Sequence, residues 1–184
     1  MLLAGPAPDC QTAGVTPARP RFALDRTLGR LARWLRLLGF DAMLRPEIPA
    51  ERLLPLAARQ RRVVLLRARL PERVRVEAGL RVLRLTHGDV RGQLREIAAI
   101  LPEVVEIDPG RTPRCVTCNR PLRPRRGETP GGCGVCRRRF EEGPQIERFR
   151  NSIRALAREI RADGAPVSVG GAGLASPTSG TGEA

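Results

Sequence analysis

Four cysteines carry the most specific chemistry in this sequence. Cys115 and Cys118 have two residues between them, as do Cys133 and Cys136, and fourteen residues separate the pairs. A two-residue spacing lets a tight turn present both sulfurs to one ion while its backbone N–H groups face them. Two such turns complete a tetrahedral four-sulfur zinc site. With all four positions taken by protein, the expected zinc is structural and supplies no catalytic water. Free or redox-active thiols are the bland alternative, and an iron–sulfur cluster is the weaker metal reading. A fifth cysteine, Cys10, stands apart. The opening Met1-Leu-Leu-Ala run is cut short by Gly5 and Pro6, which is not a secretion signal, so the paired cysteines read as ligands rather than disulfides.

The second candidate is Asp25, which ends the apolar run Phe22-Ala-Leu and precedes a helical pattern. In parallel α/β folds active sites collect at that edge of the sheet. The plain reading is a helix N-cap. Arg26, Arg30 and Arg33 follow at i, i+4 and i+7, with Arg36 nearby. The bland reading is a solvated helix face. Like charges stacked on one stripe nevertheless repel, and no acid at i±4 relieves them. Phosphate contact by these four arginines is the functional expectation. Other acids are scattered at Asp41, Glu47, Glu51 and Asp89. Phosphodiester hydrolysis by Mg²⁺ or Mn²⁺ needs several carboxylates on one ion, and spacing alone selects no cluster. The single histidine, His87, reads as a loop residue.

Positioning these groups requires a layered fold. Leu28, Leu31, Ala32, Leu35 and Leu38 share one helical face, stopped at Gly39. Glu51–Gln60 is a second helix candidate with Pro55 inside it, and Val63–Leu66 reads as a buried strand. A short helix is expected over Pro71–Ala78, a strand over Arg81–Leu85 and a helix over Gly88–Leu101. That alternation implies parallel strands with crossover helices, an α/β fold. The cysteine module and an Arg-rich helix, Asn151–Ala162, follow. The expected organisation is a disordered leader over 1–19, an α/β domain over 20–110, a zinc ribbon over 111–150, the Arg-rich helix over 151–163 and a disordered tail over 164–184. The leader reads as unstructured or as the remnant of something longer.

The 184 residues carry 33 basic against 19 acidic side chains, a net charge of +14, with every basic residue an arginine. Residues 111–150 alone hold eleven arginines against four glutamates. Such a balance points to a polyanionic partner. No apolar run approaches the roughly 20 residues of a membrane span, so the expectation is a cytoplasmic protein with no membrane partner.

The run from Arg21 to Asp41, with Asp25, Gly29, Trp34 and Gly39 in place, resembles the opening signature of the Mut-seven-C ribonuclease family. Arg62-Val-Val-Leu-Leu66 resembles that family's second conserved strand, and Gln93-Leu-Arg-Glu96 its late helix. Arg114-Cys115-Val-Thr-Cys118-Asn119-Arg-Pro121-Leu122, with Cys133 and Cys136, resembles its ribbon. The resemblance covers about Arg21 to Phe149. It implies a PIN-like parallel-sheet sandwich followed by a small four-cysteine zinc ribbon. It also implies RNA as partner and acidic ligands for Mg or Mn, with Asp25 the first acid; if the chain cuts RNA, Asp41, Glu51 or Asp89 would help Asp25 gather the metal ion. The family's second acid lies in a Thr-Arg-Asp-Arg motif. Here that stretch is Leu66-Arg67-Ala68-Arg69, with an alanine at the aspartate position. Gln145 stands where the family has a late histidine. Two functions follow: a metal-dependent ribonuclease, or an RNA- or ribosome-binding module without catalysis. A protein-interaction module is a third, since zinc ribbons also serve that role.

Overall fold

The computed structural model describes residues 19–71, 74, 76–106, 112–122, 132–138 and 143–162. The expected leader, apart from Arg19, and the expected tail lie outside the described residues, as do parts of the ribbon.

Four parallel strands form the sheet: β1 (Phe22–Leu24), β2 (Ala42–Leu44), β3 (Val63–Leu66) and β4 (Val82–Arg84), in the order β2-β1-β3-β4. Phe22 and Leu24 lie level with Val63 and Leu65 in the β1–β3 register. Because side chains alternate across a strand, Phe22, Leu24, Val63 and Leu65 point to one face and Ala23, Val64 and Leu66 to the other.

The first face carries the larger core. It is covered by α1 (Gly29–Leu37), α3 (Val90–Ala98) and α4 (Pro144–Ala162), through Leu28, Leu31 and Leu35, Leu94 and Ile97, and Ile153 and Leu156. The second face packs on α2 (Ala50–Arg59) through Leu53, Leu54 and Ala57. The result is a three-layer α/β/α sandwich with both faces of the parallel sheet buried.

Local chemistry sets the element ends. Gly39 takes φ +85° and closes α1, the left-handed stop that glycine accepts without penalty. Pro55 sits on the exposed side of α2, where water can satisfy the carbonyl that lacks its helical partner. Among the described residues of the helix expected over Pro71–Ala78, Pro71, Val74, Val76 and Glu77 are in neither helix nor strand and Ala78 begins a turn. Val74 and Leu80 pack against the α2 core, and the Val74 amide bonds Pro71 O at 2.9 Å. Gly79, at φ +82°, then turns the chain into β4. Strand β2 was not expected, and α4 starts at Pro144, seven residues before Asn151. Proline suits a first helical turn because the N–H it lacks would have no partner there. The front of α4 brings Phe149 edge-on to Trp34 of α1, ring centroids 5.0 Å apart.

Candidate functional site

The cysteines come together as their spacing requires. Cys115, Cys118, Cys133 and Cys136 place their sulfurs within 4.8 Å of one another, and Cys118 Sγ lies 3.4 Å from Cys133 Sγ. A zinc ion with Zn–S bonds of about 2.3 Å holds its sulfurs about 3.8 Å apart in a tetrahedron, so these four residues fit one. The two turns are built alike. In the first, Cys115 N bonds Arg120 O and Asn119 N bonds Cys115 O, at 2.8 and 2.9 Å. In the second, Cys133 N bonds Arg138 O and Arg137 N bonds Cys133 O, both at 2.9 Å. The residue after each second cysteine, Asn119 or Arg137, is left-handed, at φ +65° and +56°. The Cys136 amide donates to Cys133 Sγ at 3.3 Å and is the main reason that thiol falls to about 7. Cys136 is pushed up to about 12, chiefly by sharing a hydrogen bond with Cys118. Crowded thiols resist losing all four protons; a divalent cation removes that resistance.

The first turn is fastened to the edge strand of the sheet. Arg36, on α1, is 5 % exposed. Its Nε donates to Ala42 O at 2.9 Å, and its Nη1 donates to Val116 O at 2.7 Å and Thr117 O at 3.2 Å. Burial lowers its pKa, while the charges of Cys115 and Cys118 act to raise it. Asn119 completes the seam: Oδ1 accepts from Ala42 N at 3.1 Å and Nδ2 donates to Asp41 Oδ1 at 2.7 Å. An edge strand needs its open N–H and C=O groups covered, and the turn holding Cys115 and Cys118 covers β2. Arg36 therefore holds backbone carbonyls inside the fold. Its guanidinium is consumed inside the fold, and its proximity to the stripe in sequence concealed that role.

Asp41 is likewise engaged within the fold, at the amino-terminal edge of the sheet. Its carboxylate accepts from Arg62 Nη1 and Nη2 at 2.7 and 3.1 Å and from Arg21 Nε at 3.2 Å. Burial pushes the carboxyl up, but the hydrogen bonds from Arg62 and Asn119 and the nearby arginine charges outweigh it and hold Asp41 at about 2.

Asp25 occupies the opposite, carboxyl-terminal edge, directly after β1. It caps the 3₁₀ turn Arg26–Leu28 that leads into α1. Oδ1 accepts from Thr27 N at 2.7 Å and from Thr27 Oγ1, and Oδ2 accepts from Arg67 N at 2.8 Å. The carboxylate thus ties β1 to the loop after β3. Ala68, next to Arg67, is exposed. Glu51, in the first turn of α2, and Asp89, the N-cap of α3, sit on elements that leave the same edge. Asp89 Oδ1 accepts from Gly92 N at 2.9 Å, the main cause of its lowered pKa. Among the described residues, the four cysteines are the one group of three or more candidate ligands within reach of a single ion. Asp25, Glu51 and Asp89 share an edge without converging.

What that edge does form is a cleft of about 290 Å³ between α1 and the start of α3, lined by Thr27, Arg30, Trp34, Arg67, Asp89 and Arg91 among others. Arg91 is held by Glu159 Oε1 of α4 at 2.7 Å, and Arg95 takes Oε2 at 2.7 Å. Arg30 and Arg67 form no side-chain ion pair or hydrogen bond among the described residues, and both are exposed. Arg26 and Arg33, also exposed, continue the stripe on either side of Arg30. Arg67 is the member that helical spacing could not find; its signal is its place in the loop after the buried strand, beside Ala68.

The loop above the cleft is latched from α3. Glu96 accepts from the Thr86 amide at 3.0 Å, from the Thr86 hydroxyl and from His87 Nδ1 at 2.8 Å. Gln93 Nε2 donates to His87 O at 2.9 Å. The imidazole lies against Gly92, where a Cβ would come within 2.5 Å of the ring. His87 is thus a loop residue, as expected, and Gln93 and Glu96 are its fasteners.

No helix among the described residues is long and apolar enough to cross a membrane. A family model described as the Mut7-C RNAse domain matches residues 20–153. No curated protein and no solved structure matches the chain.

Proposed function

The chain belongs to the Mut7-C RNAse domain family, and from that premise we propose that it engages single-stranded RNA at the carboxyl-terminal edge of its sheet. It does so through arginine contacts to the backbone, without a complete catalytic metal centre. One observation carries this reading: the edge offers Arg30 and Arg67 unpaired among the described residues, while both oxygens of Asp25 already accept hydrogen bonds within the fold and Ala68 stands where the family resemblance expects the second acid. An alanine cannot ligate Mg²⁺ or Mn²⁺, and metal-assisted hydrolysis depends on several carboxylates acting together.

Cys115, Cys118, Cys133 and Cys136 would hold the structural zinc ion. Such a site needs reduced thiols, which favours the cytoplasm as its location. Bound zinc leaves the cluster at −2, with the Arg36 guanidinium beside it to balance part of that charge.

Metal-dependent cutting is the second reading. It is favoured by the shared edge of Asp25, Glu51 and Asp89, which would be the ligands for Mg²⁺ or Mn²⁺ and would place it beside a strand bound in the cleft.

Fluorescence anisotropy of a labelled single-stranded RNA tests the first reading. Affinity should fall steeply with salt, with a slope of about −0.7 per phosphate contacted. Arg30→Ala with Arg67→Ala should weaken binding about tenfold at moderate salt. Salt-insensitive binding, or a double variant that binds as well as the parent, would refute it.

A further inference from the structure

A second cleft lies on the other side of α1. It has a volume of about 420 Å³ and is lined by Gly29 and Arg33 of α1, Leu44 at the end of β2, Val116 and Thr117 of the first cysteine turn and Arg138 of the second. Four separate parts of the chain therefore meet around it, and no acidic residue is in its wall among the described residues. Arg33 and Arg138 are exposed and make no side-chain hydrogen bond or ion pair among the described residues. Arg36 also borders the space. Like charges gathered around one cavity repel unless an anion sits among them.

We infer that this cleft is a second RNA contact, in which Arg33 and Arg138 hold a backbone phosphate between α1 and the cysteine module. The inference rests on the RNA reading of the sheet-edge cleft and adds a separate site to it. Arg30 faces the first cleft and Arg33 the second, three residues apart and so about 5 Å along the helix axis. One strand passing over the first turns of α1 would meet both. The cysteine module then has two tasks, covering β2 and supplying Arg138. Position 138 is the equivalent of Arg120 in the first turn, which does not line the cleft. The assignment is thus specific to one of two similarly built turns. The rival explanation is that Arg33 and Arg138 only offset the negative charge of four metal-bound thiolates. That explanation predicts a loss of zinc on their removal and no change in RNA binding.

The full chain, loaded with zinc, separates these. Its affinity for a labelled oligouridylate of about twelve nucleotides, long enough to span both clefts, is measured across a salt series for two double variants. Arg33→Ala with Arg138→Ala should lower affinity about tenfold and flatten the salt slope by about 0.7, the value for one single-strand phosphate. Zinc content and the urea midpoint should not move, since both side chains are exposed. If this variant binds like the parent while Arg30→Ala with Arg67→Ala weakens binding, the second contact is refuted and the sheet-edge reading stands. If neither variant loses affinity, both fail. Loss of zinc with unchanged RNA affinity establishes the rival explanation instead.

Discussion

Two clusters, one of Arg36 with backbone carbonyls and one of Arg62 with Asp41, hold the amino-terminal edge of the sheet. Arg62 is 7 % exposed and donates to Asp41, to Phe22 O at 3.1 Å and to Gln60 Oε1 at 2.7 Å. Removing its counter-charge by Asp41→Ala leaves a buried guanidinium uncompensated and should cost about 3 kcal/mol in urea unfolding. Because Asp41 titrates in the fold at about 2 instead of its ordinary 3.8, its contribution is complete above about pH 4 and disappears as pH falls toward 2. The parent should lose stability through that window, and Asp41→Ala should lose less. Arg36→Leu should likewise cost about 3 kcal/mol by stranding the carbonyls of Ala42, Val116 and Thr117, and should speed zinc release. The salt slope of RNA binding should stay the same, which separates Arg36 from Arg30 and Arg33. Asp25 was legible as an N-cap from its place before a helical pattern. Asp41 was not, because Arg62, just before β3, lies twenty-one residues later and the register that brings it there is not written in local spacing.

At the level of elements, the two cysteine turns invite a direct comparison. Both require a left-handed residue after the second cysteine, and Asn119 accepts that conformation more readily than Arg137 does. Arg137→Gly should therefore raise stability by about 1 kcal/mol in zinc-loaded protein, read by chemical denaturation. Asn119→Gly should lower it, because the asparagine side chain also bonds Ala42 N and Asp41. The helical faces of α1, α2 and α3 and the buried strand β3 were readable from periodicity, since each buries a continuous stripe or a full apolar run. Strand β2 escaped because Ala42-Met43-Leu44 is only three residues long and gains its partners from β1 and from Asn119 outside the sheet. The described residues of the stretch Pro71–Ala78 are not helical, for the converse reason. Val74 and Leu80 are drawn into the α2 core at a spacing set by tertiary contact, overriding local preference.

Across the whole molecule, the cysteine module and α4 are packed onto the sandwich. Ile153, Leu156 and Ala157 belong to its main core, and the first cysteine turn closes the β2 edge. Stripping zinc with a strong chelator should thus loosen that edge first. Amide exchange should accelerate at Ala42, whose N–H is held by Asn119, well before it does at Val64 in the sheet interior. The excess of +14 supports an anionic partner, but charge alone does not distinguish holding RNA from cutting it. The central claim is that this member of the family binds RNA at a sheet edge whose carboxylates do not converge. Its most direct test is incubation of the zinc-loaded protein with end-labelled single-stranded RNA and Mn²⁺, resolved in parallel on native and denaturing gels. The expected result is a shifted complex, formed with or without added Mn²⁺, in which the RNA remains full length. Mn²⁺-dependent cleavage that Asp25→Ala abolishes would contradict the account.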